Sequence, residues 1–387
     1  MSGPEDLFLR LWVEASQWSP SKRRAVVQVE ATVDEELQKA LRSDDDADAV
    51  SKLEGILKSF EEGPKMRGLV LRIMRRIDEL FLEVHPRSLR LSPVVGKRTA
   101  LPGWLVRAAI RRRTSGAFSE SGDLRLVARG PLSRRNRGEH ESCADSLDDR
   151  FSALSVVPKF LNQEARRIEV TLRVIGVDAI SGVPGIVGRS VGEERLCAVP
   201  LAEASGEISL TEHTIGETTF VTFSPVDEAQ IGKRLVSAVA SATDIDIGVG
   251  PEFLVPHQAV SEAIAEMRKL AIAPCRLLLL GSGASKDLDD GQPWNEASIV
   301  NGIGALLWKQ RKIWPASINE QRAAEYGLTD AGKGQRFENN AAGELIEIVD
   351  IDSVGRCAVL ICQDFEATPM TPELLRRWQP DWVFVPI

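Results

Sequence analysis

Three side chains late in the chain suffice for covalent acyl chemistry: Glu252, Lys312 and Cys362. A thiol is a weak nucleophile until a nearby base takes its proton, and a carboxylate can act as that base. An ammonium can then stabilise the oxyanion of a tetrahedral intermediate. A backbone N–H just past the nucleophile, here that of Gln363, is placed to be a second donor. Two of the three end strand-like runs. Glu252 follows Asp244-Ile-Asp-Ile-Gly-Val-Gly-Pro, and Cys362 follows Gly355-Arg-Cys-Ala-Val-Leu-Ile. Lys312 lies in Trp308-Lys-Gln-Arg-Lys-Ile-Trp-Pro315.

Taken singly, each position also has a plain structural reading. A cysteine closing an apolar strand is usually inert core. Glu252 reads equally as a solvated carboxylate at a strand end, and Lys312 as one of several surface bases beside Lys309 and Arg311. Cys357 lies in the body of its strand and reads as packed core, while Cys143, Cys197 and Cys275 have no comparable context. Gly281-Ser-Gly-Ala-Ser-Lys286 lacks the spacing of a phosphate-binding loop.

The elements that must position these residues alternate in type. Thr218–Val226, Ile245–Val249, Arg276–Leu280, Leu345–Ile351, Arg356–Ile361 and Trp382–Ile387 read as strands, and Ala297–Trp308 as a hairpin. Ala229–Ala242 and Ala259–Ala271 carry helical periodicity. Strands alternating with helices imply an α/β layered domain.

With order and spacing in view, the second half resembles the nitrilase, or carbon–nitrogen hydrolase, superfamily. That family sets a Glu-Lys-Cys triad in three motifs, which this sequence matches at Gly250-Pro-Glu-Phe253, Gln310-Arg-Lys-Ile-Trp314 and Val359-Leu-Ile-Cys-Gln-Asp364. Asn295 resembles the family's Asn before the hairpin, and Pro380-Asp-Trp-Val-Phe-Val-Pro-Ile387 resembles the strand after the cysteine helix. The resemblance implies an α-β-β-α sandwich, here incomplete at the C-terminus, because the family's fold continues past the equivalent of Ile387. It implies a thiol-dependent hydrolase of an amide or nitrile, working through a thioester and without a cofactor. A homo-oligomer through this domain is also implied. A second glutamate that positions substrate falls on Glu320, with Glu325 the alternative. The sequence departs from the family at Trp314, where His is usual, and at Gln363, where an aromatic is common.

The resemblance does not reach the first half. Three regions are expected: 1–85, mainly helical; 86–215, an Arg-rich linker followed by a mixed α/β stretch; and 216–387, the hydrolase-like domain. Helical spacing runs through Ser21–Leu41, Ala47–Phe60 and Lys65–Val84. From Pro86 to Arg137 arginines dominate: Arg87, Arg90, Arg98, Arg107, Arg111–Arg113, Arg125, Arg129, Arg134, Arg135 and Arg137, with Lys97. This run reads either as a patch for nucleic acid or as a solvated linker or docking face. Short β-like runs follow at Val170–Val177 and Leu196–Val199.

Bulk properties narrow the classes. The chain has 387 residues, enough for two domains, and a net charge of −8 that argues against the whole chain binding nucleic acid. Five cysteines without paired spacing fit a reducing compartment, and four scattered histidines (His85, His140, His213 and His257) give no metal-site pattern. There is no signal-like N-terminus and no apolar run of membrane-spanning length, so a cytoplasmic location is expected. The alternative function is a catalytically inactive nitrilase-like binding or sensor module, its Arg-rich part contacting nucleic acid or a protein.

Overall fold

The computed structural model describes residues 3–24, 30–85, 101–130, 146–176, 193–202, 204–328, 335–351 and 354–387. Arg87, Arg90, Lys97, Arg98, Arg134, Arg135, Arg137, His140 and Cys143 lie outside them. The chain divides into two compact units. One comprises 1–161, 171–174 and 373–381, and the other 162–170, 175–372 and 382–387.

The first unit is built on helices Pro4–Ser16, Ala31–Leu41, Asp46–Lys58, Pro64–Phe81 and Gly103–Ser115. Proline opens two of them, where a missing N–H costs nothing, and the Asp45 side chain caps a third by accepting the Asp48 N–H at 2.9 Å. Their apolar faces bury Leu7, Phe8, Leu41, Leu53, Ile73, Met74 and Trp104 in one core. That core extends onto a three-stranded antiparallel sheet, Ser119–Ser121, Leu124–Ala128 and Leu154–Pro158. The buried Asp78 carboxylate accepts the N–H groups of Ser152, Ala153 and Leu154, at 2.7 to 2.8 Å. Two differences from the sequence reading stand out. The Ser21–Leu41 pattern resolves into Pro20–Arg24 and Ala31–Leu41 rather than one run. The Arg-rich stretch holds a helix and two strands, so this unit closes near Leu161 rather than at residue 85.

The described arginines of that stretch are engaged within the unit. Arg107 bonds the Asp44 carbonyl and pairs with Asp46, Arg111 bonds the Phe118 carbonyl, and Arg125 pairs with Glu120. Arg129 is held by the Asp148 and Phe151 carbonyls and by Asp149.

The second unit contains two five-stranded sheets. The first runs Leu306–Arg311, Gln292–Asn301, Leu277–Asp289, Ile247–Val249, Leu196–Ala198. The second runs Trp382–Phe384, Gly355–Val359, Leu345–Ile351, Arg166–Ile175, Phe160–Gln163. Residues from both interleave in one core: Ile247, Leu277, Leu279, Ile299 and Trp308 from the first, Val349, Cys357, Val359 and Phe384 from the second. The opposite face of the first sheet, with Leu278, Leu280 and Val300, is covered by helices Glu228–Ser241 and His257–Met267. The arrangement is α/β, two sheets packed face to face with helices outside the first. Leu277–Leu280 is apolar at every position because both of its faces are covered. The strands Leu196–Ala198 and Arg166–Ile175 belong to these sheets, so the unit starts well before residue 216. Thr218–Pro225 instead joins Ile208–Ile215 and Gln335–Glu338 in a separate three-stranded sheet. Among the described residues no helix is long and apolar enough to cross a membrane.

Candidate active site

Glu252, Lys312 and Cys362 each follow a strand, and those strands come from different sheets. Ile247–Val249 pairs in parallel with Leu277–Asp289, matching Val249 to Leu279. The two chains then approach so closely that a Cβ on Gly250 would lie 2.3 Å from the Leu280 carbonyl oxygen. A Cβ on Gly281 would lie 2.3 Å from the Pro251 oxygen, and its φ of +103° also demands glycine. This contact, with the Ser282 N–H donating to the Pro251 carbonyl at 2.9 Å, fixes the turn that delivers Glu252.

Lys312 leaves the edge strand Leu306–Arg311. Its N–H donates to the Asn295 carbonyl at 2.8 Å, and its own carbonyl accepts the Gly343 N–H at 2.8 Å. The side chain is fully buried. Its ammonium donates to Glu252 Oε1 at 2.7 Å and to Glu338 Oε2 at 2.6 Å. Asn295 Nδ2 also donates to Glu252 Oε1, at 2.9 Å. The ammonium lies 5.3 Å from the centroid of the Phe253 ring, which stacks on Phe223 at 4.8 Å.

Cys362 continues the parallel pairing of Gly355–Val359 with Trp382–Phe384, its N–H donating to the Pro386 carbonyl at 3.0 Å. Its φ of +47° is unusual for a residue with a Cβ, and such backbone is found where a side chain must be turned out at a site. A short 3-10 turn, Cys362–Glu366, follows. The buried Asp364 carboxylate accepts the N–H groups of Ile313 (3.0 and 3.1 Å), Trp314 (2.9 Å) and Ile361 (3.3 Å). One side chain thus ties the segment after the lysine to the turn that carries the cysteine. The Cys362 thiol hydrogen-bonds the Glu252 carboxylate.

Burial dominates the electrostatics. It raises the Glu252 carboxyl above its ordinary range, against the opposing pull of Lys312 and with a further push from Glu338. Burial alone would depress the Lys312 ammonium, but the charges of Glu338 and Glu252 outweigh it and the ammonium is held above its usual value. The Cys362 thiol is pushed up to about 12, first by burial and then by the Glu252 charge. Asp364 is pushed up to about 7, mainly by burial, with its N–H donors pulling the other way. The thiol is therefore a neutral S–H with a base already in contact, not a standing thiolate.

The second carboxylate comes from a different place than expected. Glu320 is exposed at the start of the short helix Glu320–Glu325. Lys312 is met instead by Glu338, which also accepts the Ala316 N–H at 2.8 Å. Glu338 closes the strand Gln335–Glu338, 26 residues beyond the lysine. Its only sequence signal is a charged residue ending a short β-like run. The N–H of Gln363 follows the thiol directly, and its side-chain Oε1 is buried without a partner. Among the described residues no group of three or more His, Cys, Asp or Glu could hold a metal ion.

No family model matches the chain, and no curated protein matches it. It is similar to solved structures. One is Nit3 of Saccharomyces cerevisiae, a branch 10 member of the nitrilase superfamily, at 19% identity and a TM-score of 0.31. That match covers 42% of this chain and 60% of Nit3, so the chain spans less than two thirds of its length. Another is a point mutant of the amidase from Nesterenkonia sp. AN1, with the acetamide moiety of fluoroacetamide added covalently at its active-site cysteine. It is 15% identical with a TM-score of 0.33, and the match covers 52% of this chain and 67% of the amidase. Both proteins are members of the nitrilase superfamily, the family that the three sequence motifs resemble.

Proposed function

We propose that the second unit is a carbon–nitrogen hydrolase of the nitrilase type, acting on a small amide or nitrile through a Cys362 thioester. The observation that carries this reading is the buried, hydrogen-bonded set of Glu252, Lys312 and Glu338 beside the Cys362 thiol.

For an amide, Glu252 takes the thiol proton as sulfur attacks the carbonyl carbon. The carbonyl electron pair moves to oxygen, where the Lys312 ammonium and the Gln363 backbone N–H hold the charge. Collapse of the intermediate breaks the C–N bond. The nitrogen leaves as ammonia or an amine, carrying the proton that Glu252 returns. Water then attacks the thioester with Glu252 as base, releasing the carboxylic acid and restoring the thiol. Glu338 keeps the ammonium in place and charged throughout. Asn295 and Lys312 both bond Glu252 Oε1, which fixes the direction of the carboxylate.

The test is ammonia release from a panel of small amides and nitriles by the wild-type chain and by Cys362→Ala. Turnover in the wild type and none in a variant with an unchanged far-ultraviolet dichroism spectrum is the expected result. Undiminished ammonia release by purified Cys362→Ala would sink the proposal.

A further inference from the structure

The polar side chains around Cys362 are satisfied almost throughout. Asp364 accepts three backbone N–H groups, Glu252 accepts from Lys312 and Asn295, and Glu338 accepts from Lys312 and Ala316. Gln363, the residue directly after the thiol, differs. Its side-chain oxygen is shut off from solvent and has no hydrogen-bond partner, although the residue as a whole is only half-buried. A dry, unpaired acceptor is costly, and a ligand donor arriving there recovers that cost.

We infer that the Gln363 side-chain carbonyl accepts an N–H carried by the acyl part of the substrate, which makes the favoured class amides bearing a second N–H near the scissile carbonyl. This rests on the amide-hydrolase reading above. The leaving nitrogen must lie against Glu252, which protonates it, and Glu252, Lys312 and Glu338 bond to one another. The Gln363 oxygen is bonded to none of them. Adjacent Cα atoms are about 3.8 Å apart, so a glutamine side chain here reaches a group only a few bonds from the carbon that sulfur attacks. An N–H two bonds from that carbon is in range. Ureido, acylamino and diamide substrates present one, and a simple aliphatic amide does not.

The experiment compares two amides that differ by one group: N-acetylglycinamide, and 4-oxopentanamide, where CH2 replaces the N–H. With the wild-type chain, kcat/KM for ammonia release should favour the N–H compound by roughly ten- to a hundredfold, the worth of one buried hydrogen bond. Gln363→Leu should bring that ratio close to one while changing the rate with 4-oxopentanamide only a few-fold. A ratio near one in the wild type overturns the inference, as does an equal loss for both compounds in Gln363→Leu. Binding of the same pair to the Cys362→Ala chain, measured by calorimetry, reads recognition apart from chemistry. Preference for the N–H compound that disappears on adding Gln363→Leu supports the inference even where turnover fails, and absence of any preference overturns it while leaving hydrolysis to stand on the ammonia assay.

Discussion

Replacing Glu252 by Gln should make the Cys362 thiol more reactive toward a simple thiol reagent while removing turnover. The thiol stands at about 12 because it is buried and because Glu252 faces it with a negative charge. Around the sulfur, Glu252 and Glu338 contribute two negative charges against the one positive charge of Lys312. Glu252→Gln removes one of the two carboxylates and leaves Lys312 paired with Glu338 alone. A single charge at contact range shifts a neighbouring group by roughly 1–3 units, and here the shift is downward. Each unit gained in thiolate is partly offset by weaker intrinsic nucleophilicity, with a Brønsted slope of roughly 0.4–0.5, so labelling should rise about 3- to 50-fold. Methyl methanethiosulfonate is the suitable reagent, because it has no amide for the site to bind as substrate. Rates are read by peptide mass spectrometry between pH 6 and pH 9, with half-buried Cys197 as the internal reference. In the wild type, Cys362 should label tens of times more slowly than an ordinary cysteine, on the order of the thiolate deficit corrected by the same slope. Turnover in Glu252→Gln should fall by roughly 100- to 10,000-fold, the usual contribution of a positioned general base. Slower labelling of Cys362 in Glu252→Gln would refute the account of the thiol, and retained turnover would refute the role of the base.

Two further outcomes follow from the charges. Lys312→Met strands the Glu252 and Glu338 carboxylates in a buried site and should cost about 3–5 kcal/mol at pH 7; the loss should shrink at pH 5, where Glu252, already raised, takes up a proton, as urea unfolding at the two pH values will show. In the helical unit, Glu5 is pushed up to about 7, chiefly by burial, with Asp6 adding to the push and Arg111 opposing it. The folded state therefore binds more protons than the unfolded state between about pH 4.3 and pH 7, and stability falls as pH rises through that window. Glu5→Gln should flatten the slope and, at pH 8, stabilise the unit by on the order of 2 kcal/mol; a steeper fall of Tm with pH in the variant would contradict this.

What could be read from the sequence follows a physical pattern. Glu252 and Cys362 stand out because each ends an apolar run long enough to be a buried strand, and a polar group there faces the open end of a sheet. The runs at Leu277–Leu280 and Leu345–Ile351 are legible for the same reason. Glu338 is not, because the helix Glu320–Glu325 and the chain after it separate it from Lys312, and four residues of strand carry too little periodicity to single out one glutamate. Glu320 suits a chain without that intervening helix, which is why spacing alone selected it. The helix Gly103–Ser115 was hidden by its arginines, which read as a solvated linker although Arg, Ala and Leu are all good helix formers. The second half of Leu277–Asp289 was missed because its polar, partly exposed residues break the apolar run that identifies its first half.

The chemistry-bearing side chains depend on residues that have no chemistry of their own. Lys312 follows a strand of one sheet and Cys362 a strand of the other, with 50 residues between them. Misplacing reacting groups by about 1 Å can cost two orders of magnitude in rate, so the join between those segments matters as much as the groups themselves. Asp364 makes that join by holding the Ile313, Trp314 and Ile361 N–H groups on one carboxylate. The turn it grips contains a left-handed Cys362, a conformation that costs about 1–2 kcal/mol for a residue with a Cβ. The bonds on either side, Cys362 N–H to the Pro386 carbonyl and Asp364 N–H to the Ile361 carbonyl, offset that cost. The glycine contact at Gly250 and Gly281 sets Glu252 by the same means, through backbone that no larger residue could occupy. The aspartate two residues after the cysteine and the glycine before Pro-Glu are therefore parts of the motifs for positional reasons: they fix where the base, the ammonium and the thiol meet.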